Sequence, residues 1–275
     1  ELLNSSVMQK GEQSKAENLK VLQQAKEALL GYAVNYVVSN KIDKMGKLPC
    51  PDVDPTLPAI ILLEAGREGN QDNVCGSQGV NAIGYLPYKE LGLGKLEDAA
   101  SQCLWYAVSG DYKNSPAAGM LNWDSVGFLN VVDENGVKQH GASTDDFPVA
   151  LIISPGASIN KNRVSAPSLP NCKADHTLAN YLEGGTMPAM ADTLWSILNS
   201  SYLSAFENIA YNDQVIAIYK SEIWERIAKL GQLETNNVAP LGTLAETVTE
   251  QLAQCLSDYG NLVANANRTL PFAAP

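Results

Sequence analysis

The chain has 275 residues, 45% hydrophobic and 18% charged, so it can bury a real core and is not globally disordered. Its net charge is −11, and the acidic residues are spread along the chain, so a phosphate backbone would be repelled and nucleic acid is not an expected partner. It contains neither an apolar run of about 18 residues that would span a membrane nor the charged and apolar regions of a signal peptide.

Residues 5–38 read as one long amphipathic helix. Leu19, Leu22, Leu29, Ala33 and Tyr36 recur at helical spacing and are expected to form the stripe that packs on the rest of the protein. Glu17, Lys20, Gln23, Gln24, Lys26 and Glu27 supply a wet face of good helix formers. The helix is expected to stop near Ser39 and Asn40, because Gly46 and Pro49 follow.

From Lys47 to Gly94 the chain is punctuated by Pro and Gly, with an apolar run at Ala59–Leu63 whose length does not separate helix from strand. Strands are expected at Cys103–Val108, Phe128–Val132, Val149–Ser154 and Val215–Tyr219. The cluster Asp133, Glu134, Asn135, Gly136 reads as a turn into a hairpin. Ser221 is the expected cap of a helix carrying Ile223, Ile227 and Leu230. A last amphipathic helix is expected from about Leu241 to Ala264, with Leu244, Val248, Leu252, Cys255, Leu256 and Tyr259 on its apolar face. Its exit through Leu270, Pro271 and Phe272 echoes the exit of the first helix through Leu48, Pro49 and Cys50.

Catalytic signals are weak. His140 and His176 have no partner at metal-ligand spacing and read as exposed loop residues. Ser158 and Lys161 match S-x-x-K inside a Gly/Asn-rich loop, a pattern common by chance. Asp52, Asp54, Asp72 and Asn73 could hold Ca²⁺ on a loop, but lack the EF-hand spacing, and turn chemistry is the stronger reading. Trp105, Trp123, Trp195 and Trp224 read as core; a carbohydrate platform would need two or three of them on one surface. The five cysteines, Cys50, Cys75, Cys103, Cys172 and Cys255, form no C-x-x-C pair. In an exported protein they suggest two disulfides and a spare thiol; in a cytosolic one, buried thiols.

One resemblance runs through the chain in order. It starts with Gln24–Ala33 at the end of the first helix, followed by Leu48, Pro49, Cys50, Pro51 and Asp52. It continues with Cys75, with Gly84, Tyr85, Leu86, Pro87 and Tyr88, and with Leu91, Gly92 and Leu93. The segments Leu104–Val108, Val149–Gly156, Asn180–Gly184 and Asn212–Ile218 complete it. This series resembles the type IV pilin-like, prepilin-type family, and its size resembles a minor pilin or pseudopilin.

The resemblance implies an α+β fold: a long N-terminal amphipathic helix packed on an antiparallel β-sheet, with additional C-terminal helices. It implies residues 1–40 as the C-terminal half of the first helix, 41–235 as a globular head, and 236–275 as an amphipathic helix opening a second repeat. It further implies that a hydrophobic half-helix precedes Glu1 and is the sole membrane contact. The expected partners are other pilin-like subunits and an inner-membrane assembly platform, in a periplasmic or extracellular filament, with no catalytic residue and no cofactor. An oxidising periplasm favours a Cys50–Cys75 disulfide first and Cys103–Cys172 second, leaving Cys255 as a buried thiol. The rival readings are a tip adhesin or surface-binding module, and a secreted hydrolase with a triad assembled in space.

Overall fold

The computed structural model describes residues 2–38, 44–52, 68–117, 119–132, 143–159, 178–182, 195–198 and 212–233. Helix α1 runs Leu2–Val38 and helix α2 Lys220–Leu233. Six strands lie between them: β1 Ala82–Tyr85, β2 Trp105–Val108, β3 Leu129–Val132, β4 Ala150–Ser154, β5 Trp195–Leu198 and β6 Gln214–Ile218. The chain divides into two compact units, Glu1–Glu225 and Arg226–Pro275. All six strands and α1 belong to the first. Of the second, only residues 226–233 are described.

Four strands form one antiparallel sheet in the order β1-β2-β4-β6, giving an α+β architecture. Every residue of β2 and β4 is buried, so both faces of the sheet centre are covered. This is why these strands read as continuous apolar runs rather than as alternating ones. On one face Trp105, Ala107, Leu151 and Ile153 join Tyr85, Leu129, Val131, Tyr181 and Leu182 in a single core. The rings of Tyr85, Trp105 and Tyr181 stack there, with centroids 4.4–6.1 Å apart. Tyr106 points to the opposite face, where it is fully buried and feels Tyr32 of α1.

β1 emerges from the Pro/Gly-rich stretch that gave no strand signal. Gly84 makes it possible: a Cβ there would come within 2.5 Å of the Asp52 carbonyl oxygen, which pairs with the Tyr85 N–H at 2.9 Å. β5 was not expected either. It pairs in parallel with β3, so the described partner of β3 is a strand far along the chain. The turn expected at 133–136, the run 59–63 and the helix expected at 241–264 lie outside the described residues.

Along α1, Asn18, Leu22, Ala25, Leu29 and Ala33 are buried, a seam at spacings of three and four. Leu22 is 1% exposed, and Leu29 and Ala33 are 0%. Leu19 corrects the expected stripe: it is 49% exposed. Asn18 holds the seam position instead, because its Oδ1 accepts the Ala99 N–H at 2.7 Å, which turns Leu19 outward. The side chain of Tyr36 lies outside the described set. The end of α2 also differs from expectation. The helix starts at Lys220, and Glu222 reaches back to accept the Tyr219 N–H at 3.0 Å, so Ser221 sits inside the helix rather than capping it.

Candidate functional site: a braced loop and an exposed tryptophan surface

Lys47–Asp52 is threaded between two partners. Leu48 pairs with the 112–114 segment, donating to Tyr112 O at 2.7 Å and accepting from the Asn114 N–H at 2.9 Å. Asp52 pairs with Tyr85 through two bonds of 2.9 Å. Its carboxylate accepts the Gly69 N–H at 2.7 Å, a long-range bond rather than the local turn contact expected of it. Gln71 Oε1 accepts from Cys50 N at 3.2 Å and from Asn114 Nδ2 at 2.7 Å, and Asn114 Nδ2 also donates to Tyr32 Oη at 2.9 Å. Three distant segments therefore meet at one amide pair against α1. The Tyr106 hydroxyl, donating to Pro49 O at 3.2 Å, is pushed far up by burial.

A disulfide joins Cys50 and Cys75, with Cα atoms 5.7 Å apart. The Ser115 carbonyl abuts both sulfurs, at 2.9 and 3.3 Å. Beside it Lys113 is fully buried, and its ammonium donates to Cys75 O at 2.7 Å and Ser77 O at 2.6 Å. Two neutral carbonyls offset only part of the lost hydration, and burial lowers this lysine to about 8. Lys47, donating to Asp111 O at 2.5 Å, is lowered by the same cause, with the Asp111 charge opposing. Cys103 is also disulfide-bonded; Cys172, its expected partner, lies outside the described residues, as does Cys255.

Asp98, 4% exposed, is a second brace that no sequence pattern signalled. One oxygen accepts the Ala100 and Gln102 N–H groups, each at 2.9 Å. The other accepts Ser154 Oγ at 2.9 Å and the Gly156 N–H at 2.8 Å. The carboxylate thus closes its own turn, in which Ser101 adopts a positive φ of 57°, and ties it to the end of β4. The local half of this pattern is an Asx-type turn; the other half is long-range and has no local signature.

Among the described residues, one large aromatic stands out on the outer surface. Trp123 is 62% exposed, and its ring lies 6.0 Å from that of Trp224 on α2, tilted by 48°. Its loop is fixed by Asn122, whose Oδ1 accepts from the Asp124 N–H at 3.0 Å and from Ser125 Oγ at 3.1 Å. Lys220 Nζ donates to Trp123 O at 3.2 Å and pairs with Asp145 Oδ1 at 2.7 Å. Met120, 71% exposed, belongs to the same loop. Trp105 is core, as expected, whereas Trp123 is exposed and lies against the half-buried Trp224.

Among the described residues no group of three or more His, Cys, Asp or Glu is placed to hold a metal ion. Asp54 lies outside the described residues, and so do His140, His176 and Lys161; Ser158 is exposed. No described helix is long and apolar enough to cross a membrane. No family model, curated protein or solved structure matches the chain.

Proposed function

We propose that this chain is the head and helix stem of a non-enzymatic structural subunit of a type IV pilin-like filament, a minor pilin or pseudopilin. The observation that carries the reading is the division of labour along α1. One seam, Leu22 to Ala33, is buried, and α1 meets β4 and β6 of the antiparallel sheet. The opposite face, with Glu12, Gln13, Glu17, Leu19, Lys20, Gln23, Gln24 and Glu27, stays exposed. A helix that is half head and half free surface suits a stem that packs beside sibling stems. The ordered prepilin-type motifs and the Cys50–Cys75 disulfide support the same reading, the latter through the oxidising compartment that disulfides require. On this reading the partners are other pilin-like subunits and an inner-membrane platform, Cys103 pairs with Cys172, and no bond is made or broken.

The test is a pull-down of the full-length gene product from envelope extracts of its source cell. Co-recovery of pilin-like subunits and an inner-membrane platform is the expected result. Recovery of the protein alone, free in the periplasm, would sink the reading.

A second reading, a surface-binding module, is favoured by one observation: the indole of Trp123 stands exposed and braced. It is compatible with the first, since the two use different faces of the molecule.

A further inference from the structure

We infer that the exposed face of Trp123, backed by Trp224, is a binding site for a neutral glycan whose sugar rings carry equatorial substituents, such as a β-1,4-linked glucan or chitin chain. This rests on the surface-binding reading of the head and is independent of the filament reading.

Three observations converge on it. The first is the indole itself. A large aromatic 62% exposed loses favourable burial, yet the loop that holds it is not loose. Its carbonyl is held by Lys220, its flanking residues are locked by Asn122, and Trp224 stands 6.0 Å behind it. A platform fixed before the ligand arrives avoids the entropy of ordering it on binding.

The second is the chemistry at its rim. The negative face of an indole attracts the weakly positive C–H groups of an apolar sugar face. A pyranose with equatorial hydroxyls presents such a face, and its hydroxyls then project sideways. Here Asp124 and Asp145 are both exposed, and Asp145 and the Trp123 carbonyl share the Lys220 ammonium, which places a carboxylate beside the platform. Carboxylates accept hydrogen bonds from hydroxyls. The third observation is charge. Lys220 offsets the charge of Asp145, but Asp124 and the chain's net charge of −11 still disfavour anionic polysaccharides, so the ligand is neutral.

A protein partner fits less well. A stable protein interface needs about 800 Å² from each side. The other large hydrophobics exposed among the described residues, Leu19 and Val74, belong to α1 and to the loop around the Cys50–Cys75 disulfide. The exposed Trp123 indole and Met120 are far too small a surface for that, and suit a single small ring such as a sugar.

The experiment is a tryptophan-fluorescence and ligand-observed NMR titration of the full chain with cellohexaose and chitohexaose, with maltohexaose and oligogalacturonate as controls. Beads coated with the protein are tested in parallel for adhesion to cell and abiotic surfaces. The expected result is saturable binding of a β-1,4 oligosaccharide with a Kd of about 1 mM or tighter. Trp123→Ala weakens it at least about tenfold while thermal unfolding is unchanged, as expected of an exposed side chain. Binding that survives Trp123→Ala overturns the site. No sugar binding with adhering beads overturns the ligand class and leaves the surface-binding reading standing; no sugar binding and no adhesion overturns both. Self-association lost in Trp123→Ala, without sugar binding, marks the face as a protein contact and also overturns the proposal.

Discussion

Lys26 of α1 and Glu222 of α2 are joined, Nζ to Oε1, at 2.6 Å. The same ammonium donates to the Ala217 carbonyl on β6 at 2.8 Å. One lysine therefore ties α1 to the edge strand of the sheet and to the first turn of the following helix. Glu222 in turn holds the Tyr219 N–H, so the pair also fixes where that helix begins. The pair is only partly shielded, which limits its strength. A double-mutant cycle with Lys26→Met and Glu222→Gln, read by urea unfolding, should give a coupling of about 1 kcal/mol. A coupling indistinguishable from zero would show that the bridge adds nothing to stability.

The two leucines Leu19 and Leu29 separate the buried seam of α1 from its free face. Leu29→Ala should cost about 2–5 kcal/mol, the range for a fully buried leucine, whereas Leu19→Ala should stay within about 0.5 kcal/mol. Equal costs at the two positions would show that the seam has been placed on the wrong face. Chemical denaturation of both variants settles it.

Asp98 accepts four hydrogen bonds while 4% exposed. Asp98→Ala leaves four donors without their acceptor and should destabilise the protein by about 3–5 kcal/mol, the loss expected when one member of a buried charged network is removed. Asp98→Asn should also be costly, because its amide turns a donor toward donors. Thermal unfolding close to that of the parent in both variants would refute the clamp.

Lys113 gives a pH signature. Burial lowers it to about 8 from its ordinary 10.5, so between those values the unfolded chain holds a proton that the folded chain has released. Stability therefore rises with pH from about 8, with a slope of at most about 1.4 kcal/mol per unit. Above pH 10 the buried Tyr106 and Tyr112, both raised by desolvation, act in the opposite direction, because the unfolded chain loses their protons first. Urea midpoints between pH 7.5 and 10 should rise in the parent and be flatter in Lys113→Met. Parallel profiles would mean the ammonium stays charged throughout.

Opening the Cys50–Cys75 bridge frees a loop with a sequence separation of 25. The Cys50→Ser, Cys75→Ser double variant should lose about 3 kcal/mol. Since the bridge, Gln71 and Asn114 hold one region, its near-neutral removal would show that the amide network alone suffices.

The sequence by itself determined the features that repeat locally. The seam of α1 at Leu22, Leu29 and Ala33 and the strands β2, β3, β4 and β6 were legible because helical spacing and apolar runs are written within a few residues of one another. Even there the choice between Leu19 and Asn18 was not legible, because it turns on a bond from Asn18 to Ala99, on a different element. Tertiary structure alone decided β1, whose short Gly-containing strand is defined by the approach of Asp52, and β5, whose parallel pairing joins segments far apart in the chain. It also decided the Asp98 clamp, the burial of Lys113 and the meeting of Trp123 with Trp224. Each of these depends on two positions that no local period connects, so only the folded chain brings them together.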